Sequence, residues 1–255
     1  MSEHVARQVR EGVLELRLNR PEKKNALTPQ MYETLAAALR QADNDRTVRA
    51  VWITGSGDSF TSGNDVTSFV DGSRGSGRPP AHDFLHALAT LASPLVASVN
   101  GMAVGVGATM LLHCDMVLAA RSASFRFPFV DLGVFPEAAS TVLLPRMAGH
   151  QRAMEMFLLG DRFDAEAARE AGMVNRICED DALEAESLAL ARRLAQKPAS
   201  ALRATKARVR AGYGDLAAAI DAELGPFGEM VRSPEAQEAF SAFLEKRKPD
   251  FSRFD

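Results

Sequence analysis

The chain predicts an α/β fold, and three observations carry that prediction. Short runs of β-branched and apolar residues recur between stretches of helical spacing. Two of these runs end in glycine-bearing turns, Thr61-Ser62-Gly63-Asn64-Asp65 and Asn100-Gly101-Met102-Ala103-Val104-Gly105-Val106-Gly107, each leading into a helical pattern. From about His150 onward the pattern is helical.

Residues 5–10 and 13–18 read as a hairpin around Glu11-Gly12, because Leu14, Leu16 and Leu18 alternate with Glu15 and Arg17. Thr28 is an N-cap and Pro29 a first-turn residue of a helix that places Met31, Leu35 and Leu39 on one face. Residues 49–54 form a strand ended by Gly55-Ser56-Gly57, residues 95–99 a second and residues 116–119 a third. Residues 71–80 are rich in Gly, Ser and Pro and read as a loop, either a lid over a neighbouring site or plain surface. A helix begins near Pro80. Further helices are expected over 151–159 with Gly160 as stop, over 165–171 between the Asp164 cap and Gly172, and over 182–196 and 201–211. The last begins with Ser233 as cap and Pro234 at its first position and runs to about Lys246. Phe227, Met230, Phe240, Phe243 and Leu244 make this end strongly apolar, as a surface that packs on another subunit would be.

Composition narrows the function. With 46% hydrophobic and 25% charged residues the 255-residue chain reads as globular, and a net charge of −3 gives no electrostatic case for nucleic acid or an anionic membrane. Cys114 and Cys178 are far apart, so neither a disulfide framework nor a zinc knuckle is supported. The first residues lack a signal-peptide profile, the apolar stretch from Met102 to Leu112 is too short to span a bilayer, and Ser252-Arg253-Phe254-Asp255 is not a peroxisomal address. A cytoplasmic location is expected.

Glycine at a strand-to-helix junction lets backbone approach backbone and lets N–H groups point into open space. Two such turns side by side would aim one N–H each at a single oxygen. Pro136-Glu137, after Leu132-Gly133-Val134-Phe135, adds a carboxylate in an apolar neighbourhood; helix capping is the plainer role for it. His82, Asp83 and His86 have a spacing that suits a metal, but no third ligand follows, and His113-Cys114 reads as core. There is no GxSxG, GxGxxG or GxxxxGK[ST] motif.

The whole chain resembles the crotonase family, the enoyl-CoA hydratases and isomerases. The likeness runs through Leu18-Asn19-Arg20-Pro21 with Lys24-Asn25-Ala26-Leu27, Phe60 to Val66, Val99 to Gly105, Cys114-Asp115, Phe125, Pro128, Leu132-Gly133, Pro136 and Lys246 to Phe251. It implies a spiral of ββα units over residues 1–196 holding the acyl-CoA site, and a helical trimerisation region over 197–255, giving homotrimers or dimers of trimers. It also implies an acyl-CoA thioester as substrate, its oxygen held by the N–H groups of Asn64 and Val106. Hydratases in this family carry two catalytic glutamates; these fall at Thr109 and Phe129, neither of which is acidic. Ser62-Gly63-Asn64-Asp65, Pro128-Phe129 and Pro136-Glu137 with Ser140 instead resemble the Δ3,Δ2-enoyl-CoA isomerase branch, in which the glutamate matching Glu137 is the base.

The implied reaction moves a double bond with one carboxylate, which takes a proton from C2 and returns it at C4. The resemblance makes Glu137, Asn64 and Val106 the catalytic set, with Val106 at the start of a glycine-rich helix whose partial charge favours an anion. It makes Lys24, Ala26, Ser62, Gly63, Asp65, Val66, Gly105 and Phe129 the substrate-binding set, although Asp65 also suits a helix cap, and Lys24 with Lys246-Arg247-Lys248 suits plain surface. Burial of Glu137 should raise its pKa. No metal or redox cofactor is called for; coenzyme A is part of the substrate. Two alternatives stand beside this reading: hydration or another crotonase-type reaction, and a non-catalytic acyl-CoA-binding module.

Overall fold

Described in the computed structural model are residues 2–65 and 78–254. Most of the loop expected over 71–80, and Val66 among the expected binding residues, lie outside them.

Strands β1 (Val5–Arg10) and β2 (Val13–Leu18) form the expected antiparallel hairpin, with the apolar side of β2 buried. In α1 (Pro29–Asn44) Thr28 Oγ1 accepts from the Met31 amide at 3.3 Å, and Met31, Leu35 and Leu39 are buried along one face. There follow β3 (Ala50–Gly55), β4 (Ser59–Thr61), α2 (Pro80–Thr90), β5 (Leu95–Val99), β6 (Met102–Val104), α3 (Val106–Thr109), β7 (Met116–Ala120) and β8 (Ser124–Arg126). The second half holds α4 (Ser140–Ala148), α5 (His150–Leu159), β9 (Phe163–Asp164), α6 (Ala165–Glu170), β10 (Arg176–Cys178), α7 (Leu183–Ala195), α8 (Ala199–Ala211), α9 (Leu216–Val231) and α10 (Pro234–Glu245).

The strands sort into two sheets. A six-stranded sheet has the order β1-β2-β3-β5-β7-β10, parallel except for the first pair, and a four-stranded sheet has the order β4-β6-β8-β9. Each of β3, β5 and β7 lies in the large sheet, and the strand after it crosses to the small one. This is the repeated ββα winding of the expected spiral. Because β4, β6 and β8 are neighbours, the turns that follow β4 and β6 also emerge side by side. Trp52, Phe60, Phe84, Phe125 and Phe127 are fully buried between the layers, and the Trp52 indole N–H is satisfied by Ser187 Oγ of α7 at 3.0 Å.

Two helices were not foreseen from the pattern. α4 contains Pro145, and α9 contains Pro226 between Gly225 and Gly228, residues that break a helix read by propensity alone. Packing overrides them: α9 lies against α2 and buries Leu216, Ile220 and Val231. Among the described residues no helix is long and apolar enough to cross a membrane.

Candidate active site

The two glycine turns meet through their backbones. Gly63 has φ +90°, and a Cβ on it would lie 2.6 Å from the Val104 carbonyl oxygen. Gly107, on the second turn, would place a Cβ 2.5 Å from Thr61 Cγ2. Only glycine permits this approach, which sets Asn64 and Val106 on the wall of one cleft. Among the described residues, no protein acceptor takes the amide hydrogen of either Asn64 or Val106. The Gly63 amide is held by Thr61 Oγ1 at 3.1 Å and the Gly105 amide by the Arg126 carbonyl at 3.0 Å, so the residues before them are fixed. The helix starting at Val106 has four residues and passes into a 3-10 turn, Met110–His113. Its dipole is correspondingly small, and the Val106 amide itself is the relevant donor.

Glu137 lies on the wall of the same cleft and is 8% exposed. The Thr109 hydroxyl donates to its Oε1 at 2.6 Å. Burial pushes its pKa up to about 7, opposed by the Thr109 hydrogen bond and assisted by the negative charge of Glu223. Glu137 therefore does not serve as a solvated cap. Thr109, set aside as lacking a carboxylate, turns out to be the partner of the carboxylate that is present.

Sequence reasoning also missed Glu223. It comes from α9, lines the cleft, and accepts from the Ala139 amide with both oxygens, at 3.1 and 3.0 Å. Tyr32 of α1, not singled out in the sequence, donates its O–H to Asn64 Oδ1 at 2.6 Å and so orients the first turn from the cleft side. The apolar wall opposite is supplied by Leu85 of α2 and by Ile220, Leu224 and Phe227 of α9. Phe227 meets Phe135 edge-on at 5.7 Å.

The remaining expected residues are dispersed. Asp65 Oδ2 pairs with Arg20 Nη1 at 2.6 Å, and Arg20 also donates to the Ala26 carbonyl at 3.2 Å, which ties the first turn to the segment after β2. The Ser62 amide donates to the Lys24 carbonyl at 2.9 Å. Lys24 is itself exposed, with Nζ 2.7 Å from Asp58 Oδ2. Phe129 is buried and packs with the core. Arg247, in the basic cluster near the end, is engaged by Glu238 and Glu245.

His82 faces the cleft, but its ring is held by Arg78, whose Nε lies 2.7 Å from Nδ1, and by Asp221 at 2.9 Å. Among the described residues no group of three His, Cys, Asp or Glu is gathered to hold a metal ion. Burial pushes the Cys114 thiol up to about 12 and His113 down to about 4, which leaves both neutral and fits their core reading.

Comparison with known proteins gives the chain's family. A family model described as enoyl-CoA hydratase/isomerase matches residues 8–253. The chain is 38% identical, over 99% of both chains, to the 1,2-epoxyphenylacetyl-CoA isomerase of Escherichia coli (strain K12). It is 36% identical to enoyl-CoA delta isomerase 2 of Rattus norvegicus over 83% of this chain and 56% of that protein. The crystal structure of an enoyl-CoA hydratase/isomerase from Pseudoalteromonas atlantica T6c matches with a TM-score of 0.93 at 42% identity, covering 98% of this chain and 100% of that one.

Proposed function

Since this chain belongs to the enoyl-CoA hydratase/isomerase family and is an enzyme of the crotonase type, we propose that it is a Δ3,Δ2-enoyl-CoA isomerase. The observation that carries the reading is the buried Glu137, held near neutral pKa on the cleft that Asn64 and Val106 also line.

The substrate is an acyl-CoA thioester with its double bond between C3 and C4. Ionised Glu137 takes a proton from C2, and the electron pair moves into a dienolate whose charge rests on the thioester oxygen. The amides of Asn64 and Val106 donate to that oxygen, each worth about 3 kcal/mol of barrier in comparable sites. Glu137 then returns the proton to C4, the pair from C3–C4 closing there as the C2–C3 double bond forms. Atoms and charge balance with one acid and no added reactant. Thr109 suits both states of that acid. It donates to Glu137 when the carboxylate is charged, and can turn its hydrogen to the Val106 carbonyl, 3.4 Å away, when Glu137 carries the proton.

Val209 and Phe243 are each 61% exposed on the C-terminal helices, which supports self-association through residues 197–255, as trimers or paired trimers. The full-length likeness to the E. coli 1,2-epoxyphenylacetyl-CoA isomerase favours a second reading, isomerisation of that epoxide thioester. A panel of purified substrates separates the two. With a 3-enoyl-CoA deuterated at C2, the first reading expects 2-enoyl-CoA with part of the deuterium at C4. Conversion of the epoxide alone would support the second reading, and turnover of neither would favour a binding module.

A further inference from the structure

The turn after Glu137 is made from the wrong residues for its shape. Ala138 and Ala139 both have positive φ, +66° and +51°, a conformation that L side chains adopt at a cost, and alanine brings no side-chain hydrogen bond to offset it. Both are fully buried, so solvent does not stabilise the turn. Something else must hold it. Glu223 does so from α9, both of its carboxylate oxygens accepting from the Ala139 amide, and the buried His113 ring meets the Ala138 carbonyl at 2.8 Å through Nε2. Ala139 is also the residue preceding α4, and it has no side chain able to cap the nine-residue helix. Glu223 instead accepts from the amide of Ala139 itself, which ties the residue that opens α4 to α9.

We propose that Glu223 is a positioning residue for Glu137, locking the strained turn that aims the base and joining that turn to the helix that forms the acyl wall. The inference deepens the isomerase reading and rests on Glu137 being the base. α9 brings Ile220, Leu224 and Phe227 to the cleft on the same face as Glu223. An acyl chain pressed against that wall therefore bears on the element that clamps the base turn. Glu223 acts on Glu137 in a second way, through its charge, which disfavours ionisation of the neighbouring carboxylate. The other titratable groups facing the turn and cleft are Tyr32 of α1, His82 of α2 and His113, the last kept neutral by burial.

The test uses Glu223→Ala and Glu223→Gln in the full chain, assayed on a 3-enoyl-CoA, with the titration of Glu137 followed separately in the unliganded protein by its carboxyl stretching band. Loss of that band in Glu137→Gln assigns it. Glu223→Ala is expected to lower kcat by roughly 10- to 100-fold with KM changed less than threefold. Glu223→Gln keeps an acceptor for the Ala139 amide but no charge. It should restore kcat to within about fivefold and move the Glu137 titration down by roughly half a pH unit or more. Where Glu223→Ala fails to fold, Glu223→Gln decides. Parent-like kcat in either variant together with an unmoved Glu137 band overturns the proposal. A moved band in a protein that does not turn over the 3-enoyl thioester retains the positioning role and removes the isomerase reading instead.

Discussion

The Thr109 hydroxyl donates across 2.6 Å to Oε1 of Glu137, with both residues buried. A hydroxyl in that position favours the ionised base, while the surrounding apolar wall disfavours it. The two effects leave the carboxyl near the pH at which the proposed base would both accept and return a proton. Replacing Thr109 by Val keeps the shape and removes the donor. The acid limb of the kcat profile should then move upward by roughly one pH unit, with kcat at pH 7 falling about fivefold and recovering toward pH 9. Profiles of parent and variant on one substrate check this.

A carboxyl held at high pKa by burial also has a consequence for stability. The folded-state pKa of Glu137 is raised from 4.5 to about 7, so the folded protein binds the proton more tightly than the unfolded chain. Its contribution is therefore neutral below pH 4.5 and becomes a growing destabilisation as pH rises to about 7. Glu137→Gln removes the ionisation. Relative to parent, it should be little changed at pH 5 and more stable at pH 8 by on the order of 3 kcal/mol. Denaturant melts at the two pH values provide the check; equal differences at both would mean that Glu137 is not held protonated by its surroundings.

The approach of the two turns is equally open to test. Gly63→Ala would place a methyl 2.6 Å from the Val104 carbonyl at a positive φ, so backbone must move. A loss of roughly 2–4 kcal/mol in stability is expected. In whatever fraction remains folded, kcat should fall more than KM rises, if the amides of Asn64 and Val106 hold the thioester oxygen as proposed.

Much of this was legible in the residues. The hairpin showed in the alternation of Leu14, Leu16 and Leu18, and α1 showed in its Thr28 cap and single apolar face, because both signals are local. The site showed through two glycine turns and one glutamate in an apolar run. What escaped notice depends on contacts made across the fold. α9 is interrupted by Gly225, Pro226 and Gly228, so it does not read as a helix, and Glu223 was lost with it. The Thr109 hydroxyl gains meaning only when the turn after β8 brings Glu137 beside α3. Phe129, matched by position to a site residue, packs with the core, where a phenyl ring is stabilised. The basic side chains told least, since Lys24 and Arg247 find acidic partners on the surface.

The most direct test of the central claim is kcat for Glu137→Gln on a 3-enoyl-CoA at pH 8, measured beside the parent. A thousandfold or greater loss is expected, on the order of 4 kcal/mol of barrier, with KM within a few-fold because the thioester contacts remain. Turnover within tenfold of parent would contradict the account, since a group other than Glu137 would then have to carry the proton from C2 to C4.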